Sequence, residues 1–287
     1  MLAINKWKLY RPISSNSRFI TAEVKNSKDE TYFLKVAQNQ LARVQLKAEY
    51  NWLRFINLKI FDQKPFLSPK IIKYHHDYLL TEYVAGQSLD RLPIENYFSQ
   101  LITILNYFKQ ISKTKNILFN PYFPEGKINN FLVRKVKAIE NKILTKKIIT
   151  KAVFIELLNN IRKNLILSSM FAHGDFKSSN IIKSDKNQQL YLVDCEGGGS
   201  NLPAYADAAH FYYHLYKASK LKEASIWYKS VSNIFGNDKD FNRSFNLYLN
   251  WITLMELGNE KFSAKQAKEV AKLVDKILLR SMDSNHD

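Results

Sequence analysis

The stretch from residue 171 to residue 196 constrains the fold of this chain more than any other segment. It reads Phe-Ala-His-Gly-Asp-Phe-Lys-Ser-Ser-Asn-Ile-Ile, then a polar turn, then Leu-Tyr-Leu-Val-Asp-Cys-Glu. Two short apolar runs separated by a polar turn predict a β-hairpin. Asp175 and, five positions later, Asn180 come just before its first strand, and Asp194 follows its second. The hairpin therefore carries two carboxylates and an amide at defined positions.

The first 85 residues hold most of the strand-like sequence. Short runs rich in β-branched and aromatic residues alternate with polar, turn-forming stretches, which predicts antiparallel strands joined by turns. Strands are predicted at residues 19–24, 32–36, 71–74 and 78–83. Residues 40–58 carry apolar side chains at near-helical spacing and predict the one helix of this region.

Beyond residue 89 the pattern is helical for most of the chain, apart from the hairpin within residues 172–194. We therefore predict an α+β protein with two lobes. Residues 1–85 would form a small antiparallel sheet with one helix. Residues 86–287 would form a large, mostly helical lobe that contains the hairpin.

Asp175, Asn180 and Asp194 carry the oxygen atoms that phosphoryl transfer requires. The charge on a transferred γ-phosphoryl group is spread onto Mg²⁺, which prefers hard oxygen ligands. Asp194 offers an anionic oxygen and Asn180 a neutral carbonyl oxygen, so both are predicted metal ligands. Asp175 would accept the proton of an attacking hydroxyl group. The alternative is an ordinary capped turn followed by a hairpin.

The loop from His173 to Asn180 contains a sequence motif that resembles that of a known family. His173-Gly174-Asp175 with Asn180 resembles the catalytic loop of aminoglycoside phosphotransferases, choline kinases and related small-molecule kinases. Protein kinases carry Arg where this chain has Gly174. Lys177 is similar to the protein-kinase lysine at that position, and the resemblance implies that it neutralises charge on the γ-phosphate.

The residues after the hairpin extend the resemblance. Asp194-Cys195-Glu196 is similar to the Asp-x-Asp/Glu motif of the small-molecule kinases, and residues 197–208 match their downstream segment more loosely. The resemblance implies a two-lobed protein kinase-like fold, ATP and Mg²⁺ as cofactors, and transfer of the γ-phosphoryl group to a hydroxyl group of a small molecule, sugar or saccharide.

The family resemblance also assigns residues of the small lobe. Lys35 lies inside a predicted strand and Glu49 in the helix that follows, as expected for a lysine that holds the α- and β-phosphates and its carboxylate partner. Residues 80–89 resemble the family's hinge, where backbone groups near Glu82 and Val84 would bind adenine. An edge-strand lysine and an ordinary turn are the simpler alternatives.

A glycine-rich phosphate loop is missing from the small lobe. All eight glycines lie at or after Gly86. Residues 12–18 occupy the place of the loop, and Ser14 and Ser15 can present backbone N–H groups and hydroxyls to phosphate, with less conformational freedom than glycine.

The formal net charge of +17 indicates a polyanionic partner or a surface of solvated lysines. Basic residues concentrate at 134–151 and again at 261–280, where the spacing predicts a helix with Val270, Leu273 and Ile277 turned inward. Nucleic acid as a partner would rest on charge alone and is disfavoured. Peripheral association with an anionic membrane surface is left open.

The chain shows no signs of export or of membrane insertion. Its N-terminus lacks a signal-peptide pattern, and no apolar run is long enough for a membrane span. Its one cysteine, Cys195, cannot form a disulfide within the chain, and flanking carboxylates are expected to raise the pKa of its thiol. We therefore expect a cytoplasmic protein. No histidine spacing matches a zinc site.

The acceptor is left open by the sequence. One alternative is a cationic acceptor held by aromatic and acidic side chains of the helical lobe, and the other is that those aromatic residues pack in the core. The residues concerned are Tyr205, Tyr212, Tyr213, Trp227 and Trp251, with Glu196, Asp207, Glu256 or Glu260. The net positive charge favours a sugar, a sugar phosphate or a lipid-linked saccharide.

Two other functions agree less well with the sequence. A protein kinase is disfavoured because no Ala-Pro-Glu-like segment or long activation loop follows Asp194. A catalytically inactive kinase fold that acts as a scaffold or binds polyanions is opposed by the intact Asp175 and Asn180. The choice between ATP and GTP and the oligomeric state are not determined by the sequence.

Overall fold

A five-stranded antiparallel sheet forms the N-terminal part of the protein. The computed structural model describes residues 7–58, 63–113, 128–163, 168–195, 197–259 and 262–283. The strands are β1 (Lys8–Ser15), β2 (Phe19–Lys25), β3 (Thr31–Ala37), β4 (Ile71–His75) and β5 (Tyr78–Glu82), in the order β1-β2-β3-β5-β4. The central strand is β3, where Lys35 lies opposite Thr21 on one side and Leu79 on the other.

Helix α1 (Gln40–Ile56) connects the sheet with the rest of the molecule. The side chain of Asn39 caps the helix by accepting a hydrogen bond from the backbone N–H of Ala42. Leu46, Leu53 and Ile56 follow one face of the helix and are buried. They belong to one continuous apolar core with the helices of the C-terminal part.

The C-terminal part is mostly helical. Its helices are α2 (Phe98–Ile111), α3 (Ile128–Ala138), α4 (Glu140–Thr145), α5 (Lys151–Lys163), α6 (Ala206–Lys217), α7 (Leu221–Phe235), α8 (Phe241–Asn259) and α9 (Ala264–Asp283). Within the described ranges, no helix is long and apolar enough to cross a membrane. Val270, Leu273 and Ile277 of α9 are buried, as the helical spacing predicted.

Two small sheets lie between the five-stranded sheet and the helices. The first is formed by β6 (Gly86–Ser88), β8 (Ile181–Ser184) and β9 (Leu190–Leu192), and its β8–β9 pair is the predicted hairpin. The second pairs β7 (Ser169–Ala172) with β10 (Gly199–Pro203). The short loops that leave these strands carry the polar residues singled out by the sequence.

The predicted two-lobed α+β architecture is confirmed, and the predicted strands and helix of the small lobe differ from the observed ones by no more than two residues at either end. Strand β1 was not predicted. All eight of its residues are exposed, so it has no apolar alternation, and Pro12 is tolerated because β1 lies at the edge of the sheet.

Candidate active site

Lys35 lies at the centre of a buried charge network. Its Nζ donates hydrogen bonds to Oε2 of Glu49 over 2.8 Å and to Oδ1 of Asp194 over 2.6 Å. Only 4% of Lys35 and 6% of Glu49 is exposed. Strand β3 supplies the lysine, α1 its first partner and the segment after β9 its second. Three elements distant in sequence therefore converge on one ammonium group.

Asp194 is held in a strained backbone conformation. Its φ of 61° lies in the left-handed region, which residues other than glycine seldom adopt. Desolvation in the cleft acts to raise the pKa of its carboxyl group, but the nearby ammonium of Lys35 outweighs this and lowers the pKa to about 2. The side chain is ionised at neutral pH and is 42% exposed, so it can also contact a ligand in the cleft.

Asp175 is tied into the loop by two neighbouring residues. Nζ of Lys177 lies 2.7 Å from its Oδ2, and Nδ2 of Asn180 donates to the same oxygen over 2.8 Å and to the backbone carbonyl over 3.0 Å. Burial acts to lower the pKa of Lys177, but the carboxylate of Asp175 reverses this and raises it. The side chain of Lys177 is therefore charged at neutral pH. The second carboxylate oxygen, Oδ1, faces His210 at 3.4 Å.

The side chain of Asp207 fixes the backbone of the loop that begins at His173. Its two carboxylate oxygens accept hydrogen bonds from the backbone N–H groups of His173 and Gly174, over 2.6 and 2.9 Å. Asp207 is fully buried, and burial raises its pKa to about 7 although both hydrogen bonds act against this. The sequence places Asp207 in the loosely matching segment 197–208 and among the acids considered for a cationic acceptor, but it does not indicate this hydrogen-bonding role. Its place at the start of α6, beneath the loop, depends on tertiary contacts.

Gly174 is required by the loop geometry. Its φ is +82°, and a Cβ atom added there would lie 2.1 Å from the backbone carbon of Gly197. No side chain fits at this position. The glycine that distinguishes this loop from the protein-kinase pattern therefore has a steric cause.

A cleft of about 720 Å³ separates the five-stranded sheet from the β6–β8–β9 sheet. Apolar groups such as Phe19 and Val193 line it together with the cationic Arg18 and Arg91. Most of the predicted site residues also line the cleft, namely Ser14, Lys35, Glu49, Glu82, Val84, Asn180 and Asp194. The size and the mixed lining are typical of a small-molecule site.

Ser15, Asp175 and Lys177 do not line the cleft itself. Ser15 is the last residue of β1, and the turn after it is closed by Asn16, whose Oδ1 accepts hydrogen bonds from the N–H groups of Arg18 and Phe19. Asp175 and Lys177 lie at the cleft's edge, joined to it through Asn180.

Asn180 and Asp194 fit a magnesium ion. Backbone pairing holds them close, because the N–H of Val193 donates to the carbonyl of Asn180 over 3.0 Å. The side-chain amide of Asn180 directs its nitrogen to Asp175, which turns its oxygen the other way. One anionic and one amide oxygen at one cleft wall form the hard donor set that Mg²⁺ prefers. The ammonium group of Lys35 lies nearby and could bind the phosphates of a nucleotide.

Cys195 is buried and unpaired. Burial is the main reason that the pKa of its thiol is raised well above its ordinary value, and the nearby carboxylate of Glu49 adds to the effect. The sequence reasoning attributed the shift to the two acids that flank the cysteine in the chain. One of those, Glu196, lies outside the described residues.

The aromatic residues considered for a cationic acceptor pack in the core. Tyr205, Tyr212, Tyr213 and Trp227 are almost completely buried, and Trp251 is 9% exposed. Glu256 is paired with Lys217 over 2.9 Å. Glu260 lies outside the part of the chain that the structure describes.

The five-stranded sheet, the helical part and the hairpin between them together define a protein kinase-like fold. Residues 10–223 match the model of the phosphotransferase enzyme family, APH. The chain belongs to this family.

Solved structures show the same fold at low sequence identity. Choline kinase from Cryptosporidium parvum Iowa II matches with a TM-score of 0.64 and 12% identity, over 99% of this chain and 92% of that one. Plasmodium vivax ethanolamine kinase matches with a TM-score of 0.62 and 14% identity, over 96% and 83%. The GDP and kanamycin complex of APH(2")-IIia matches with a TM-score of 0.60 and 13% identity, over 97% and 95%. No curated protein sequence matches the chain.

Proposed function

We propose that the protein is a kinase that transfers the γ-phosphoryl group of ATP, with Mg²⁺, to a hydroxyl group of a small-molecule or saccharide acceptor. One observation carries this proposal: the two carboxylates and the amide that the spacing singled out come together at one cleft, where Asn180 and Asp194 line the wall and Asp175 is bonded to Asn180 at its edge. Asn180 lies 2.8 Å from Asp175, and Lys35 lies 2.6 Å from Asp194. Family membership and the choline and ethanolamine kinases of the same fold support it.

The roles follow from the chemistry of each group. Asp175 would take the proton of the acceptor hydroxyl as that oxygen attacks phosphorus and the bond to the bridging oxygen of the leaving diphosphate breaks. Lys35, aligned by Glu49, and Lys177 would hold phosphate oxygens. Asn180 and Asp194 would bind Mg²⁺, which would neutralise charge on the phosphates.

The small lobe would bind the nucleotide in this proposal, and the large lobe the acceptor. We place the nucleotide-binding region in residues 1–85, with adenine against the backbone at Glu82 and Val84 and phosphates near Ser14 and Ser15. Residues 86–287 would supply the acceptor side.

A saccharide or a phosphorylated sugar suits the acceptor side better than a cation does. Lys177 and Lys217 lie near Asp175 and His210, and the carboxylate of Glu256 is already paired with Lys217. A cationic acceptor would meet like charge there without a free carboxylate partner among these residues.

We also propose that the protein acts in the cytoplasm, where its buried free thiol would stay reduced. Exposed lysines at 265, 268 and 272 on α9 would allow peripheral contact with an anionic membrane surface. Sedimentation with anionic vesicles at low and high salt tests this contact, which salt should weaken.

An ATP-consumption screen tests the proposed reaction. The acceptor panel contains sugars, sugar phosphates, amino alcohols, nucleosides and a protein substrate, each with Mg²⁺ and with ATP or GTP. We expect Asp175→Asn to lower turnover by roughly 10²-fold or more, since a general base is lost. Asp185→Asn is the matched control, because Asp185 is an exposed carboxylate on the turn of the same hairpin.

Two results would contradict the proposal. Full turnover in Asp175→Asn would remove Asp175 as the base. Absence of Mg²⁺-dependent ATP binding in calorimetry would instead support the inactive scaffold.

A further inference from the structure

Three side chains of the metal-ligand type converge beside the catalytic loop. His210 and His214 are four residues apart on α6, so their imidazoles share one face of the helix. Their Nε2 atoms lie 2.9 Å apart, and Nε2 of His210 lies 3.4 Å from Oδ1 of Asp175. The three ligand atoms all lie within 4.8 Å of one another.

Two of the three separations are close to those between ligand atoms around one metal ion, and the third, between His214 and Asp175, is at most 4.8 Å. Ligand atoms about 2.0–2.1 Å from a tetrahedral zinc ion lie roughly 3.3 Å from one another. The two measured separations fall on either side of this value. Small side-chain rotations would therefore be enough to bring the two imidazole nitrogens and the carboxylate oxygen onto one ion.

We propose that Asp175, His210 and His214 bind a divalent transition-metal ion of the Zn²⁺ type. Imidazole nitrogen is a good ligand for Zn²⁺, Co²⁺, Ni²⁺ and Cu²⁺, whereas Mg²⁺ prefers oxygen. Two imidazoles and one carboxylate leave at least one coordination position for solvent or a bound ligand. This site is separate from the oxygen donors Asn180 and Asp194 in the cleft.

The two carboxylate oxygens of Asp175 have different surroundings, which favours the site. Lys177 and Asn180 both bind Oδ2, so Oδ1 is the oxygen turned toward the histidines. The imidazoles of His210 and His214 stack with centroids 4.7 Å apart. Little side-chain freedom would be lost when a metal binds.

The environment of His210 also supports metal binding and limits its strength. Burial lowers the pKa of His210 to about 4, so its imidazole is neutral and needs no deprotonation. Its buried Nδ1 has no hydrogen-bond partner in the described part of the chain. A missing partner of this kind costs roughly 10- to 100-fold in metal affinity, and the positive charge of Lys177 lowers the affinity further.

A second group of the same composition provides a control. His75, His76 and Asp77 lie at the β4–β5 turn, and the side chains of His75 and His76 are 44% and 64% exposed. Adjacent exposed residues lose more freedom on binding than the buried group does. We therefore expect the first ion to bind at the buried group.

Cobalt titration of the full chain, freed of metals by dialysis against a chelator, tests the proposal. In excess Mg²⁺ we expect saturable uptake of one tightly bound Co²⁺ per chain, with visible absorption of four- or five-coordinate cobalt, and displacement by Zn²⁺. His214→Asn should weaken this uptake at least tenfold, while His76→Asn should leave it unchanged. Circular dichroism establishes that each variant is folded, and Asp175→Asn provides a second variant that should weaken uptake.

Three results would overturn the site. They are equal uptake by wild type and a folded His214→Asn, loss of the tight ion in His76→Asn, and absence of saturable uptake by the wild-type chain. If the proposed kinase reaction holds, bound Zn²⁺ would occupy Oδ1 of Asp175 and inhibit turnover, and His214→Asn should relieve the inhibition. Metal uptake does not depend on that reaction, so the two proposals can fail separately.

Discussion

The indole Nε1 of Trp52 donates a hydrogen bond to the backbone carbonyl of Ala172 over 3.0 Å. Trp52 lies on α1 three residues after Glu49, and Ala172 ends β7 directly before His173. The indole also packs edge-on against the imidazole of His173, with ring centroids 5.5 Å apart. One buried side chain therefore joins the helix of Glu49 to the loop of Asp175.

We expect Trp52→Phe to lower the free energy of unfolding by about 2–4 kcal/mol, because it removes the hydrogen bond to the carbonyl of Ala172 and opens a small cavity in the core. It should also weaken Mg²⁺–ATP binding, since α1 would lose its attachment to the loop. Urea denaturation and calorimetry measure the two effects.

Trp227→Phe is the matched control. The indole of Trp227 is fully buried and donates to the carbonyl of Ala208 over 3.0 Å, but both residues lie in the helical part. This variant should lose similar stability and keep its nucleotide affinity. Equal loss of affinity in both variants would show that Trp52 has no specific role in coupling α1 to the loop.

Loss of one partner of the buried Lys35–Glu49 pair should destabilise the fold strongly. Removing one partner of a buried ion pair leaves an uncompensated charge, at a cost of about 3–5 kcal/mol. We expect Lys35→Met to lower the free energy of unfolding by an amount of this order and to abolish measurable Mg²⁺–ATP binding. Denaturant unfolding and calorimetry on the same sample measure both.

Lys25→Met tests whether burial is the cause. Lys25 ends the neighbouring strand β2 and pairs with Asp29, whose side chain is 81% exposed, over 2.9 Å. Water and salt screen this pair, and Lys25 Nζ also lies 4.2 Å from the ring centroid of the exposed Tyr10, so Lys25→Met should cost no more than about 1 kcal/mol. A comparable loss of stability in both lysine variants would contradict the explanation by burial.

Elements with a local sequence pattern could be predicted from the sequence. The β2–β3 hairpin, α1 and the β8–β9 hairpin have apolar periodicity over their own length, and these elements were predicted. Lys35 and Asp194, although 159 positions apart, were identified because each occupies a recognisable local pattern.

Other features of the fold and of the site depend on contacts between distant segments, which no local sequence pattern indicates. The pairing of β7 with β10 and the bond from Trp52 to Ala172 join distant segments. The histidines of α6 face Asp175 in the folded chain, where Asp207 at the start of the same helix bonds to the loop backbone. The spacing of the histidines in the sequence does not indicate that the carboxylate of Asp175 lies beside His210 and His214.

Gly174→Ala tests the steric reading of the loop. The substitution places a side chain at positive φ and against the backbone of Gly197, and these effects together should cost about 2–4 kcal/mol. Turnover should fall further than stability, because the displaced residue lies next to Asp175. Thermal unfolding and the ATP-consumption assay measure the two effects. Wild-type stability in this variant would show that the loop tolerates a side chain.

Two buried groups, His173 at the start of the loop and Asp207 against its backbone, respond to pH in opposite directions. Burial lowers the pKa of His173 from 6.5 to about 4, although the nearby Asp175 acts against this. The unfolded chain therefore takes up a proton between pH 6.5 and 4 that the folded chain does not, and stability falls as the pH falls through this range. The raised pKa of Asp207 has the opposite effect, because its folded form holds a proton that the unfolded form has lost.

The difference in unfolding free energy between the wild type and His173→Asn isolates the contribution of His173. We expect the stability advantage of the wild type over His173→Asn to be largest above pH 6.5 and to shrink by about 3 kcal/mol as the pH falls to 4, at about 1.4 kcal/mol per pH unit. Asp207 is present in both chains, so its effect cancels to first order. Urea denaturation at pH values from 4 to 7.5 gives the difference directly. A difference that stays constant over this range would mean that the imidazole of His173 titrates in the fold as it does in the unfolded chain.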